Sequence, residues 1–180
     1  MKALKETYTP MLKEIGAVPI LLANHATRTD HNRTKTFGGF ENYTKVILEG
    51  YYAYKDFLDG LLPENQTARV APVGQAFLQV YEENYDLWYR LYHTDGMHPS
   101  PHGTYLQAIV MYCTIYGHPP PKQYALPRKP SKLFNRARIM QPYGQDPLDR
   151  PTLGEAQYLY DVAIQVSLTD ERVVTSSGWE

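Results

Sequence analysis

Hydrophobic and polar positions along the chain alternate between two periods. Ala3, Leu4, Met11, Leu12 and Ile15 recur at helical spacing, and Gly16 follows where a helix end wants a residue free to take positive φ, so a first helix is predicted to stop there. Val18 to Ala23 is a short continuous apolar run, the pattern of a strand buried on both faces. Asn24 to Gly39 is polar, rich in Thr and His, and reads as a loop at the carboxyl end of that strand. Tyr43, Val46, Ile47, Tyr51, Tyr54 and Leu58 return to helical spacing. Arg69 to Val73 then reads as a second strand, and Ala76, Phe77, Val80, Tyr81, Tyr85 and Trp88 as a third helix.

Strand and helix thus alternate twice, which predicts parallel strands with helical crossovers and ligand-binding loops at the strands' carboxyl ends: after Ala23, after Val73 and before Ser100. Two strands are few for a doubly wound sheet. Ser100 followed by Pro101 is a helix start, a hydroxyl cap and then a residue whose missing N–H costs nothing at the first helical position. From His118 to Pro151 eight prolines and scattered basic residues break the periodicity, so this stretch is expected to be an extended surface strap. Thr152 with Glu155 three residues on is a capping box ahead of Ala156, Leu159, Tyr160, Ala163, Ile164 and Val166, a final helix over 152–169 that docks the tail.

The 180 residues are expected to form a single domain around one core. With 43% hydrophobic and 21% charged residues the chain is too apolar for a disordered segment, and its net charge of -1 supplies no field that draws nucleic acid or anionic lipid. The basic scatter from Lys122 to Arg138 lacks aromatic interleaving, so no nucleic-acid partner is expected. Ala17 to Ala23 is too short for a membrane span, and Lys2, Lys5 and Glu6 do not form a signal-peptide core. Three Asn-x-Thr sequons at Asn32, Asn42 and Asn65 hint at a secreted parent, and the compartment stays unassigned. The lone Cys113, in an apolar run, reads as a buried structural thiol. Sixteen tyrosines at helical spacing read as amphipathic packing, with an aromatic or carbohydrate cleft as the alternative.

Chemistry concentrates between His93 and Tyr105, where three of the six histidines fall within ten residues. Asp95 and His98, separated by a flexible Gly96, lie in the turn ahead of the helix that Ser100 caps. A carboxylate three residues before an imidazole can fold back to accept the Nδ1 proton, which leaves Nε2 free as a base. The same residues also fit a turn carboxylate beside an ordinary histidine, or a metal site of His98 and His102 with Asp95. His25 and His31 read as surface-loop residues, with a place at an active-site mouth as the alternative.

The stretch Asp95 to Ile109, DGMHPSPHGTYLQAI, resembles the last motif block of the SGNH (GDSL-type) hydrolases. Val70-Ala71-Pro72-Val73-Gly74, followed by Ala76-Phe77, resembles the strand and helix start that precede that block, and Ala17 to Ala23 the central strand before them, so the likeness runs over residues 1–117. The resemblance implies a three-layer α/β flavodoxin-like SGNH-hydrolase fold with its amino-terminal strands missing, His98 as general base and Asp95 as its orienting carboxylate. It further implies hydrolysis of an acyl or acetyl ester, on a small-molecule or carbohydrate substrate, with no metal or organic cofactor. The Gly-Asp-Ser nucleophile block and the Gly-x-Asn-Asp oxyanion block do not occur, so the chain resembles the carboxyl-terminal part of such an enzyme. Two readings follow: a portion that supplies the His–Asp part of a Ser-His-Asp triad, and a non-catalytic binding module. Ser100 is expected to be a cap, and Ser131, Ser167, Ser176 and Ser177 have no visible oxyanion partner. The missing strands are expected to expose a sheet edge through which the chain self-associates.

Overall fold

The computed structural model describes residues 1–126 and 150–169. Most of the predicted strap, the basic scatter beyond Leu126, and Ser131, Ser176 and Ser177 lie outside the described residues.

A π-helical turn over Leu4–Tyr8 runs into helix α1 (Thr9–Ile15), which ends at Gly16 with φ 66, where a side chain would be strained. Strand β1 (Ile20–Leu22) follows, then α2 (Asn32–Thr36), the long α3 (Phe40–Asp59) and a 3-10 turn at Glu64–Gln66. Strand β2 (Arg69–Ala71) leads into α4 (Val73–Glu83) and α5 (Tyr85–Arg90). Next come α6 (Pro101–Tyr116), the short α7 (Lys122–Ala125) and α8 (Leu153–Leu168). The predicted third helix is two helices, because Asn84 takes an extended φ of -150 and its side chain accepts from Leu87 N to start α5 anew.

The two strands pair in parallel, Ile20 opposite Arg69 and Leu22 opposite Ala71, with α3 in the crossover between them. They are the whole sheet among the described residues. This corrects the expected three-layer α/β flavodoxin-like fold: the protein is mostly helical, and its strands are three residues each. Pro19, which has no N–H to donate, precedes β1, and Pro72 follows β2 and starts a helix, so neither apolar run extends its ladder.

The core is built by helices. Helix α6 packs most extensively on α8, and α4 joins them, burying Phe77, Val80, Trp88, Leu106, Val110, Leu159 and Ala163. Cys113 lies within this core, as expected. The capping box of α8 forms as predicted, Glu155 N donating to Thr152 Oγ1 and Thr152 N to Glu155 Oε2. Trp88 meets Tyr81 and Tyr92 edge to face and Phe40 packs against Tyr81 and Trp88, so Tyr81 and Tyr92 pack as expected, whereas Tyr85 is half exposed and tilts against Trp88. A smaller cluster of Leu58, Leu62 and Ala68 takes Leu4, Leu12 and Leu21. The first helix departs from expectation here, because its Met11 and Ile15 face outward, 56% and 73% exposed. No helix among the described residues is long and apolar enough to cross a membrane.

Candidate functional site

Two loops meet at the carboxyl end of the sheet. One continues from β1 through residues 24–31, and the other is the reversal that brings the chain from α5 into α6. The reversal is closed by Ser100 N donating to Leu91 O and His93 N donating to His98 O, each at 2.8 Å. Gly96 at its tip has φ 66, a conformation that costs a side-chain-bearing residue energy. A Cβ there would also stand 3.3 Å from Arg28 Cβ.

Asp95 and His98 come together as the spacing predicted. His98 Nδ1 lies 2.6 Å from Asp95 Oδ2, and Asp95 Oδ1 accepts the backbone N–H of both Met97 and His98 at 2.9 Å. Partial burial works to raise the Asp95 carboxyl, but the bond from His98 and these two amides outweigh it and hold the group at about 2. An ionised Asp95 can only accept, so the neutral His98 ring carries its proton on Nδ1 and presents Nε2 as a lone pair. The side chain is 68% exposed, which gives Nε2 access to solvent. With its lone pair on Nε2, this arrangement can take a proton from a hydroxyl or a water.

The 24–31 loop holds the turn from behind. Arg28 N donates to Gly96 O at 2.8 Å, Tyr92 Oη donates to Ala26 O at 2.7 Å, and His25 Nε2 lies 3.1 Å from Met97 O. The Arg28 guanidinium is buried, bonds Asp30 through Nε and Nη2 at 2.8 Å each, and lies over the Tyr89 ring at 4.1 Å. His25 departs from the surface-loop expectation: it is 7% exposed and stacked on Phe77 with 4.3 Å between ring centroids. Burial lowers its pKa to about 4, against the partial support of its bond to Met97 O and in the same sense as the nearby His98. His31 caps α2, accepting from Arg33 N, and takes no part in the turn. The only sequence signal for these contacts was their place at the end of an apolar run.

His102 does not join His98. It is 2% exposed and faces α8, its Nε2 at 3.1 Å from Arg90 Nη2 and 3.5 Å from Glu155 Oε2. Arg90 also binds Glu155 directly. The proposed ligand set of His98, His102 and Asp95 is therefore split between two faces, and no group of three His, Cys, Asp or Glu among the described residues is placed to share an ion. Ser100 is a cap in fact: it is 3% exposed, its Oγ donates to Arg90 O at 2.5 Å and accepts His102 N and Gly103 N. Ser167 is fully buried in α8. Neither hydroxyl is available as a nucleophile.

The chain matches no protein-family model, no curated protein and no solved structure.

Proposed function

We propose that the chain supplies the His–Asp part of a Ser-His-Asp triad for hydrolysis of an acyl or acetyl ester, with the nucleophile contributed by a segment other than the described residues. The supporting observation is the Asp95–His98 pair: a carboxylate bound to Nδ1 through a 2.6 Å contact, and an accessible Nε2. In the complete site a serine would attack the acyl carbonyl, His98 would take its proton and return it to the leaving alcohol, and Asp95 would stabilise the imidazolium between the two steps. The resemblance of residues 95–109 to the last SGNH hydrolase block supports the same chemistry, and a small-molecule or carbohydrate ester is the substrate class. This pairing of residues calls on no metal or organic cofactor.

A second reading, a non-catalytic binding module, is favoured by the engagement of Ser100 and Ser167 in the core. Self-association belongs to either reading: β1 is paired on one side only among the described residues, and beside it Val18 and Leu22 are 36% and 40% exposed.

A fluorophosphonate probe distinguishes the two. The 180-residue chain alone should remain unlabelled and should hydrolyse short-chain aryl esters no faster than free histidine. Joined to any coding sequence in frame ahead of Met1 that carries a Gly-Asp-Ser block, it should gain labelling and turnover. Stoichiometric labelling of the chain alone would overturn the proposal, as would an inert joined protein.

A further inference from the structure

His25 is a buried imidazole where a phenyl ring would fill the same space. It stacks on Phe77 and meets Tyr92 edge to face at 5.3 Å, contacts that any aromatic ring can make. What the imidazole adds is two directed bonds. On one side Met97 O, 3.1 Å from Nε2, can only accept, so Nε2 must carry the proton. On the other side the Gln107 amide nitrogen, 3.1 Å from Nδ1, can only donate, so Nδ1 must be the lone pair. Both partners demand the same neutral tautomer. Asn24 Oδ1 turns the Gln107 amide the right way by accepting from its nitrogen at 3.2 Å, and it also accepts His25 N at 2.9 Å.

The recipient of the His25 proton is one half of a peptide unit whose other half is already taken. The Met97–His98 peptide has its C=O on His25 and its N–H on Asp95 Oδ1. The preceding Gly96–Met97 peptide is held in the same way, its C=O on Arg28 N and its N–H on Asp95 Oδ1. Two successive peptide planes are each fastened at both edges, the carbonyl edges by the 24–31 loop and the amide edges by Asp95. The plane next to His98 sets the direction in which its side chain leaves the backbone, and so whether Nδ1 meets Asp95 Oδ2.

We propose that His25 is a positioning residue for His98: through the Met97 carbonyl it orients the base, and Gln107 fixes the tautomer in which it can do so. This rests on the reading of His98 as the base.

The test is made on the full chain with nitrogen-15-labelled histidine, reading the ring tautomers by two-bond proton–nitrogen correlations at pH 7.5. In the unsubstituted protein His25 should be a single Nε2–H tautomer with a slowly exchanging ring proton, and neutral His98 should be mainly Nδ1–H. His25→Phe, which keeps the ring volume, should still melt cooperatively while the Nδ1–H share at His98 falls by about threefold. His25→Gln, which returns a donor near the Nε2 position, should recover most of that share. A folded His25→Phe protein with an unchanged His98 overturns the proposal, and so does a His25 in the unsubstituted protein with no protected Nε2–H. Should His25→Phe fail to fold, Gln107→Leu takes its place: a mixture of His25 tautomers with a loosened His98 supports the proposal, and no change at either ring overturns it.

An active joined protein separates this from the reading beneath it. There His25→Phe should lower kcat with KM unchanged. A His25→Phe protein of full kcat that His98→Ala nonetheless inactivates sinks the positioning role alone, whereas full activity in His98→Ala sinks the base itself.

Discussion

Asp95 holds His98 twice, once through the ring, with Oδ2 at 2.6 Å from Nδ1, and once through the backbone, with Oδ1 accepting His98 N at 2.9 Å. One carboxylate therefore governs both where the imidazole sits and which nitrogen it offers. Asp95→Asn keeps an acceptor for the amides but presents an NH2 group to Nδ1, which reverses the tautomer. In an active joined protein the loss in kcat should reach on the order of 10²–10⁴, approaching that of His98→Ala. Steady-state turnover on an aryl ester measures it, and an Asp95→Asn protein within tenfold of the parent would remove Asp95 from the mechanism.

Stability should depend on pH through His25. The folded protein protonates this ring only near pH 4, whereas the unfolded chain does so near the ordinary value of 6.5, because burial opposes the charge. Between those values the unfolded state binds more protons, so stability is fully present above about pH 6.5 and drains away as pH falls towards 4. A shift of this size corresponds to roughly 3 kcal/mol at most. Denaturant midpoints taken at intervals from pH 7.5 to 4, for the parent and for His25→Phe, isolate the effect. A difference between the two proteins that stays flat across the window would refute it.

Gly103, in the first turn of α6, sits against the end of α5, and a Cβ there would stand 2.2 Å from Leu91 O and 3.1 Å from Phe77 Cζ. Leu91 O is already bound by Ser100 N, so it has no freedom to retreat. Gly103→Ala should destabilise by about 3 kcal/mol or more, by forcing α6 away from the reversal that carries Asp95 and His98. Chemical denaturation reads the loss, and a change under about 1 kcal/mol would show that the helix shifts freely.

Cys113 is buried in the helical core, and that burial pushes its thiol up to about 11. The thiolate is the nucleophile, so the native protein should resist iodoacetamide at pH 8 and react with one equivalent only after unfolding. Intact-mass measurement of the adduct, with and without denaturant, decides it.

Features whose partners lie a few residues away were legible in the chain. Gly16 closes the first helix, Ser100 and Pro101 open α6, Thr152 and Glu155 cap α8, and Asp95 reaches His98, because each bond spans at most one turn of chain and residue type alone specifies it. The apolar runs at residues 18–23 and 69–73 likewise marked both strands. What periodicity could not reveal is how far those strands extend or how much of the core they supply, since an apolar run reads the same whether its neighbour is a strand or a helix. The α6–α8 packing decided that in favour of helices.

His25 illustrates the other limit. Its polarity and its place in a loop predicted exposure, yet it is buried because Met97, 72 residues away, and Gln107, 82 residues away, bring a matching acceptor and donor to its two nitrogens. His102 likewise turns from a candidate co-ligand of His98 to a contact with Glu155, which the packing of α8 on α6 brings to it. The sequence by itself determined the local Asp95–His98 pair. Only the tertiary structure decided what holds that pair in place, because closing loops of that length is settled by the packing of the whole core and not by the residues at either end.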